Sequence, residues 1–164
     1  MKSPHTYNSA KLHTQLGLTL IEIMVTLAVV AITLSLGVPS FQGLASSNRM
    51  STTANSLISA LNVARSEAIK RGARVNVVAT GANWATGWKV QVNSNSEVIK
   101  SFDPITGMQV TGSSTQYQFL PTGFFSLTAA EELKICDAST AGETGRKITI
   151  SISGRFSVAN TTCS

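Results

Sequence analysis

Histidine is nearly missing from this sequence, since His5 and His13 are the only two and both lie close to the N-terminus. Beyond position 13 neither a histidine base nor a histidine metal ligand is available. No Gly-x-x-x-x-Gly-Lys-Ser/Thr phosphate loop and no Gly-x-Gly-x-x-Gly fingerprint is present, and the adjacent acids Glu131 and Glu132 read as a solvated strand edge rather than a catalytic dyad. Serine–lysine chemistry is the one catalytic class this inventory leaves open, and the chain reads as a non-enzyme with no cofactor and no metal site. Internal repeats, low-complexity tracts and interdomain linkers are also lacking.

Charge is sparse too, at 13% of residues, and the place where it all but vanishes is informative. Leu18 to Val38 is a run of 21 residues with a single charge, Glu22. As an α-helix it rises roughly 31 Å, about the thickness of a bilayer's hydrocarbon core. An acid near the centre of a membrane helix costs roughly 2.5 to 3.5 kcal/mol, and less near an end. Glu22 therefore either snorkels to the interface or has a specific partner.

The nonapeptide Gly17-Leu18-Thr19-Leu20-Ile21-Glu22-Ile23-Met24-Val25 resembles the processing and assembly motif of type IV pilins and pseudopilins, with Leu18 where most relatives have Phe. The resemblance implies that a prepilin peptidase cuts after Gly17, that the new N-terminus at Leu18 is methylated, and that Glu22 pairs with the N-terminal amine of a neighbouring subunit. A carboxylate and an ammonium meeting away from water satisfy each other, whereas either alone is penalised, so a subunit docked out of register is rejected. The chain then divides into a cleaved leader, 1–17, a hydrophobic transmembrane and assembly helix, 18–45, and a periplasmic head, 46–164. The leader is polar and lacks the apolar core of a secretory signal. Lys2 and Lys11 keep it cytoplasmic by the positive-inside rule, which implies a single pass through the inner membrane. Their removal lowers the net charge from +5 to +3, a mild excess that permits contact with an anionic polymer without demanding it.

Pro39, flanked by Gly37 and Gly43, predicts a kink or local melting, since proline cannot donate to the carbonyl of Ser35. Met50, Ala54, Leu57, Leu61, Ala64 and Ala68 then recur at spacings of three and four, one apolar stripe on an amphipathic helix that should lie against a sheet. Glu67 precedes Lys70 and Arg71 in a favourable helical order and Gly72 gives a stop signal, so one helix of roughly 50 residues is expected. After Gly72 the period switches to two. Val75 to Thr80 and Trp88 to Asn93 read as strands, followed by Val98 to Phe102, Gln109 to Thr111, Tyr117 to Leu120, Glu132 to Cys136, Lys147 to Ser153 and Arg155 to Val158.

Within this second half, Ala64-Arg65-Ser66-Glu67-Ala68-Ile69, Gly87-Trp88-Lys89-Val90, Gly123, Ile135-Cys136 and Ile150-Ser151-Ile152-Ser153-Gly154-Arg155 resemble the GspH/FimT (FimT/FimU) branch of minor pseudopilins. That resemblance implies an α+β, type IV pilin-like fold: a long N-terminal helix packed on an antiparallel β-rich head. It implies a minor pilin that helps initiate or cap a type IV pilus, with other minor pilins, the major pilin, the prepilin peptidase and the inner membrane as partners. The corresponding minor pseudopilin of a type II secretion system shares motif and topology. In the oxidising periplasm Cys136 and Cys163 are expected to form a disulfide, with free thiols or a metal pair as alternatives. Closing a loop of about 27 residues is worth roughly 3.5 kcal/mol in the chain-entropy view. Some relatives capture DNA through basic residues near the C-terminus. The candidates here are Arg146, Lys147 and Arg155, with Arg74 and Lys89 as additions, but Ser157 stands where DNA-binding relatives can carry a second Arg. Trp84 and Trp88 either stack bases or belong to the core.

Overall fold

The computed structural model describes residues 17–139 and 144–163, apart from the side chains of residues 36–42. The expected leader, save Gly17, lies outside the described residues. The chain forms two compact units, Met1–Phe41 and Gln42–Ser164.

One helix, α1 (Leu20–Arg71), contributes to both units over 52 residues. It starts at Thr19, whose hydroxyl accepts from the Glu22 N–H at 3.3 Å and whose carbonyl accepts from Ile23 N–H, the arrangement of an N-cap. It stops at Gly72, in the left-handed region at φ 61°. There the Gly72 N–H donates to the Ile69 carbonyl and the Ala73 N–H to the Ala68 carbonyl, the paired bonds of a Schellman ending. Residues 36–42 remain helical, so no local melting occurs. The kink expected at Pro39 falls on residues whose side chains lie outside those described.

In the second unit, Met50, Ala54, Leu57, Leu61, Ala64 and Ala68 are all buried, as the spacing predicts, and Ala60 joins them. The small residues let the helix approach the strands closely, while Leu57 and Leu61 each remove a whole side chain from water, worth about 1.5 to 3 kcal/mol apiece. Glu67 pairs with Arg71 at 2.7 Å and with Lys70 at 3.7 Å, and Arg71 reaches on to Glu97 at 3.0 Å.

Among the described residues eight strands follow, in two antiparallel four-stranded sheets. The first, in the order β3-β2-β1-β5, contains β1 (Val75–Ala79), β2 (Trp88–Val92), β3 (Val98–Phe102) and β5 (Gln116–Phe119). The second, in the order β4-β6-β7-β8, contains β4 (Met108–Gly112), β6 (Glu131–Asp137), β7 (Thr144–Ile150) and β8 (Phe156–Thr162). Both sheets send alternate residues into one core: Val75, Val77, Val90, Tyr117 and Phe119 from the first, and Val110, Leu133, Ile135, Ile148 and Ile150 from the second. Trp84, in a short 3-10 turn (Trp84–Thr86), stacks on Tyr117 at 5.1 Å between centroids, and Trp88 stacks on Phe102 at 5.5 Å. Both tryptophans are 2% exposed, so the base-stacking alternative is excluded and the core reading stands.

The last two strands differ from their predicted limits. β7 ends at Ile150 rather than Ser153, because the Ser151 hydroxyl accepts from the Arg155 N–H at 3.0 Å and the Gly154 N–H donates to the Ser151 carbonyl, closing a tight hairpin. β8 runs on to Thr162, paired with β7 along its whole length.

Candidate functional site

Among its described residues the N-terminal unit has no core of its own. Leu20, Ile21, Met24, Val25, Leu27, Val29, Val30, Ile32 and Leu34 are each at least half exposed, and their positions fall on every side of α1. A helix that is apolar all round is matched to lipid or to other helices rather than to water. Its hydroxyls are satisfied from within. Thr26 donates to the Ile23 carbonyl at 2.9 Å, Thr33 to those of Val29 and Val30 at 3.0 and 2.9 Å, and Ser35 to that of Ile32 at 2.7 Å. Thr19 is occupied by the cap. Glu22 alone among the described side chains of this unit presents a polar group without a partner among the described residues.

Thr19 and Glu22 have the spacing of a capping box, which sequence reading overlooked. A carboxylate in the first turn is favoured by the helix dipole. Glu22 thus has a local reason to be acidic in addition to any assembly role. Gly17 and Leu18 precede the helix and are exposed, and a Cβ on Gly17 would meet nothing within 4 Å. No demand internal to the described chain requires glycine there. Among the described residues no helix is long and apolar enough to cross a membrane. The expected span, 18–45, runs into residues 36–42, whose side chains lie outside those described.

In the head, Cys136 and Cys163 are bonded, which tethers the C-terminus to the end of β6. Gly145 lies beneath the bond: a Cβ there would run into the Cys163 sulfur and stand 2.6 Å from the Ile135 carbonyl oxygen. Gly145 lies within β7, where the disulfide needs the space. Next to it Asp137 accepts from the Ser46 hydroxyl of α1, from the Ser139 N–H at 2.8 Å and from the Ser139 hydroxyl at 2.6 Å. Those hydrogen bonds, with the Arg49 guanidinium nearby, hold its carboxyl at about 2.

Three residues of the family-like pattern that lie far apart in sequence meet at the other end of the head helix. The Arg65 Nε donates to the Gly123 carbonyl at 3.1 Å. Gly154, at φ 73°, packs so closely that a Cβ would stand 2.5 Å from that same carbonyl and 3.2 Å from the Arg65 Nε. Arg65 therefore ties α1 to the loop after β5, and the β7–β8 hairpin packs against that junction at Gly154.

The basic residues proposed for DNA do not form one clamp. Arg146 and Lys147 are neighbours on β7 and point to opposite faces. Arg146 donates to the Asn160 side-chain carbonyl at 2.6 Å and reaches the Ser51 hydroxyl at 3.5 Å, while Lys147 is paired with Glu132 at 2.7 Å. Arg155 is exposed at the hairpin, Arg74 is exposed after the helix end, and Lys89 is half-buried on β2. Glu131 and Glu132 also alternate across β6 and share no site. Among the described residues no group of His, Cys, Asp or Glu is arranged to hold a metal.

The architecture has solved counterparts. The type IV minor pilin FimU of Pseudomonas aeruginosa superposes with a TM-score of 0.62 at 20% identity, over 68% of this chain and 89% of that one. A second crystal form of the same pilin gives 0.59 at 21% identity, over 66% and 91%. The minor pseudopilin EpsH from the type 2 secretion system of Vibrio cholerae gives 0.54 at 14% identity, over 68% and 96%. These likenesses establish a type IV pilin-like α+β fold. No protein in the search of curated proteins matches. The family model described as type II transport protein GspH matches residues 53–154, which hold Arg65, Gly123, Gly145 and Gly154 and amount to more than half of the sequence. This chain belongs to the GspH family of minor pilins and pseudopilins.

Proposed function

We propose that this protein is a minor pilin that helps initiate or cap assembly of a type IV pilus. Prepilin peptidase cuts it after Gly17, and it waits in the inner membrane as a single-pass protein with its head in the periplasm. Its partners are other minor pilins and the major pilin. The observation that carries this reading is the unmatched carboxylate of Glu22 on the N-terminal part of α1, where the other described polar side chains are satisfied internally. Such a group is a fixed penalty in lipid and becomes favourable only when a cation docks on it. The new amine of a neighbouring subunit at the position of Leu18 supplies that cation, while the apolar faces of adjacent helices replace lipid. The open space around Gly17 supports the same reading, because the demand for a small residue then comes from the peptidase. In this role the protein is structural and performs no catalysis.

Glu22→Ala and Gly17→Ala are each expected to abolish piliation while the head still folds. Normal pili from a strain carrying only the Gly17 variant would refute the proposal.

A second reading, a minor pseudopilin of a type II secretion system, is favoured by the description of the matching family as a type II transport protein. A deletion strain scored together for piliation and exoprotein secretion separates the two. DNA capture has no comparable support, because Arg146 and Lys147 already hold protein partners and face opposite ways.

A further inference from the structure

Large apolar side chains scattered singly over a surface need no explanation, but several gathered at one place do. Ile69 at 52% exposure, Phe124 at 51% and Ile152 at 47% gather around the Arg65 junction. Ile69 lies against the loop after β5, since a Cβ on Gly123 would stand 2.8 Å from its Cδ1. Phe124 is the next residue of that loop, and the Phe125 N–H donates to the Ile152 carbonyl of the β7–β8 hairpin at 3.0 Å. The Arg65 bond to the Gly123 carbonyl and the close approach of Gly154 fix loop and hairpin together, so the three side chains sit on a preorganised surface.

The same end of the head carries unpaired positive charge. Arg74 precedes Val75, which pairs with Phe119 just before that loop, Arg155 follows Gly154, and the Arg65 guanidinium has the Gly123 carbonyl on its Nε. Among the described residues the ion pairs use Lys70, Arg71 and Lys147, and none of these three arginines meets a carboxylate. Glu67 is already held by Arg71 and Lys70, and Glu131, which the register sets opposite Ile150, pairs with none of the three. Guanidinium groups around an apolar centre match carboxylates beside an apolar side chain, because each Arg–carboxylate pair can be bidentate while the apolar groups remove each other from water.

We propose that the surface formed by Ile69, Phe124 and Ile152, rimmed by Arg65, Arg74 and Arg155, docks a segment of a different pilin in which carboxylates flank an aliphatic or aromatic side chain. The inference rests on the reading of this chain as a minor pilin and adds the surface by which its head takes a partner. Two copies meeting through this same surface would set arginine against arginine, and like charges brought together at an interface cost several kcal/mol, so the occupant is another protein. A nucleic acid would satisfy the arginines through its phosphates and leave the apolar centre without a counterpart. From Gln42 to Ile69 α1 rises roughly 40 Å. The surface therefore lies at the end of the head away from the entering chain, which favours a neighbouring head over lipid.

The test is photocrosslinking in intact cells that make the full chain, with the photoreactive residue benzoylphenylalanine in place of Phe124 and, in a parallel strain, in place of the exposed Ile32. The Phe124 probe is expected to capture another pilin, at a segment that mass spectrometry shows to hold a carboxylate beside an apolar side chain. Arg155→Glu and Ile152→Asp should each lower the yield by about fivefold or more. Exchanging the mapped carboxylate for lysine in the partner should restore the Arg155→Glu yield, which also demonstrates that this variant folds. A Phe124 probe that captures no pilin other than this chain, a yield indifferent to both substitutions, or no recovery on exchange would each overturn the proposal. Pilin crosslinks from Ile32 with none from Phe124 reject the docking surface alone, whereas none from either position rejects the minor-pilin reading as well.

Discussion

Asp137 is the carboxylate through which acid should loosen the start of the head. Its hydrogen bonds to Ser139, then to Ser46, with Arg49 close by, bring its carboxyl from an ordinary 3.8 to about 2 in the folded protein. The lowered value means that the folded state holds its proton less tightly than the unfolded chain. The corresponding stability is fully present above the unfolded value and is lost as pH falls from about 4 through about 2. The full difference would amount to about 2.5 kcal/mol, and because the carboxyl is only half-buried, solvent screening reduces it to about 1 to 2 kcal/mol. Urea unfolding of residues 42–164, which form their own compact unit, should place Asp137→Asn below the wild type by that amount at pH 7. The gap should shrink to about 0.4 kcal/mol or less near pH 2, where the folded carboxyl is half ionised, and close below that pH, where both side chains are neutral. Ser46→Ala should give a smaller loss with the same pH profile. The comparison between variants is needed because the carboxyls of Glu67 and Glu97 are also held low by Arg71 and contribute their own acid slope. If Asp137→Asn shows the same slope between pH 5 and pH 2 as the wild type, the hydrogen bonds from Ser139 and Ser46 to Asp137 contribute no acid-sensitive stability.

Two further outcomes follow from the packing of the head. Replacing Cys136 and Cys163 together by Ser should cost about 3.5 kcal/mol in a denaturant titration, since the 27-residue separation sets the loop that the bond closes; a loss below about 1 kcal/mol would mean that the tail is held by β7–β8 pairing alone. Gly154→Ala should cost about 2 to 4 kcal/mol, because the left-handed backbone penalises a side chain and the new Cβ meets the Gly123 carbonyl. An unchanged urea midpoint would show that the hairpin yields at no cost.

The run from Leu18 to Val38, the buried stripe from Met50 to Ala68 and the Gly72 stop were legible in the sequence because hydrophobic period and helix-ending chemistry are local: each is set by neighbours within a few residues. Most strands were legible for the same reason. Tertiary structure decided which strands pair, dividing them between two sheets, since β1 joins β5 and β4 joins β6 across tens of residues that carry no record of their partner. It also decided that Arg65, Gly123 and Gly154 form one junction, that Gly145 makes room for the disulfide, and that Arg146 and Lys147 face apart rather than forming a clamp. The physical reason is that a side chain's identity fixes what it can bond to, while only the folded path of the chain fixes which group comes within reach.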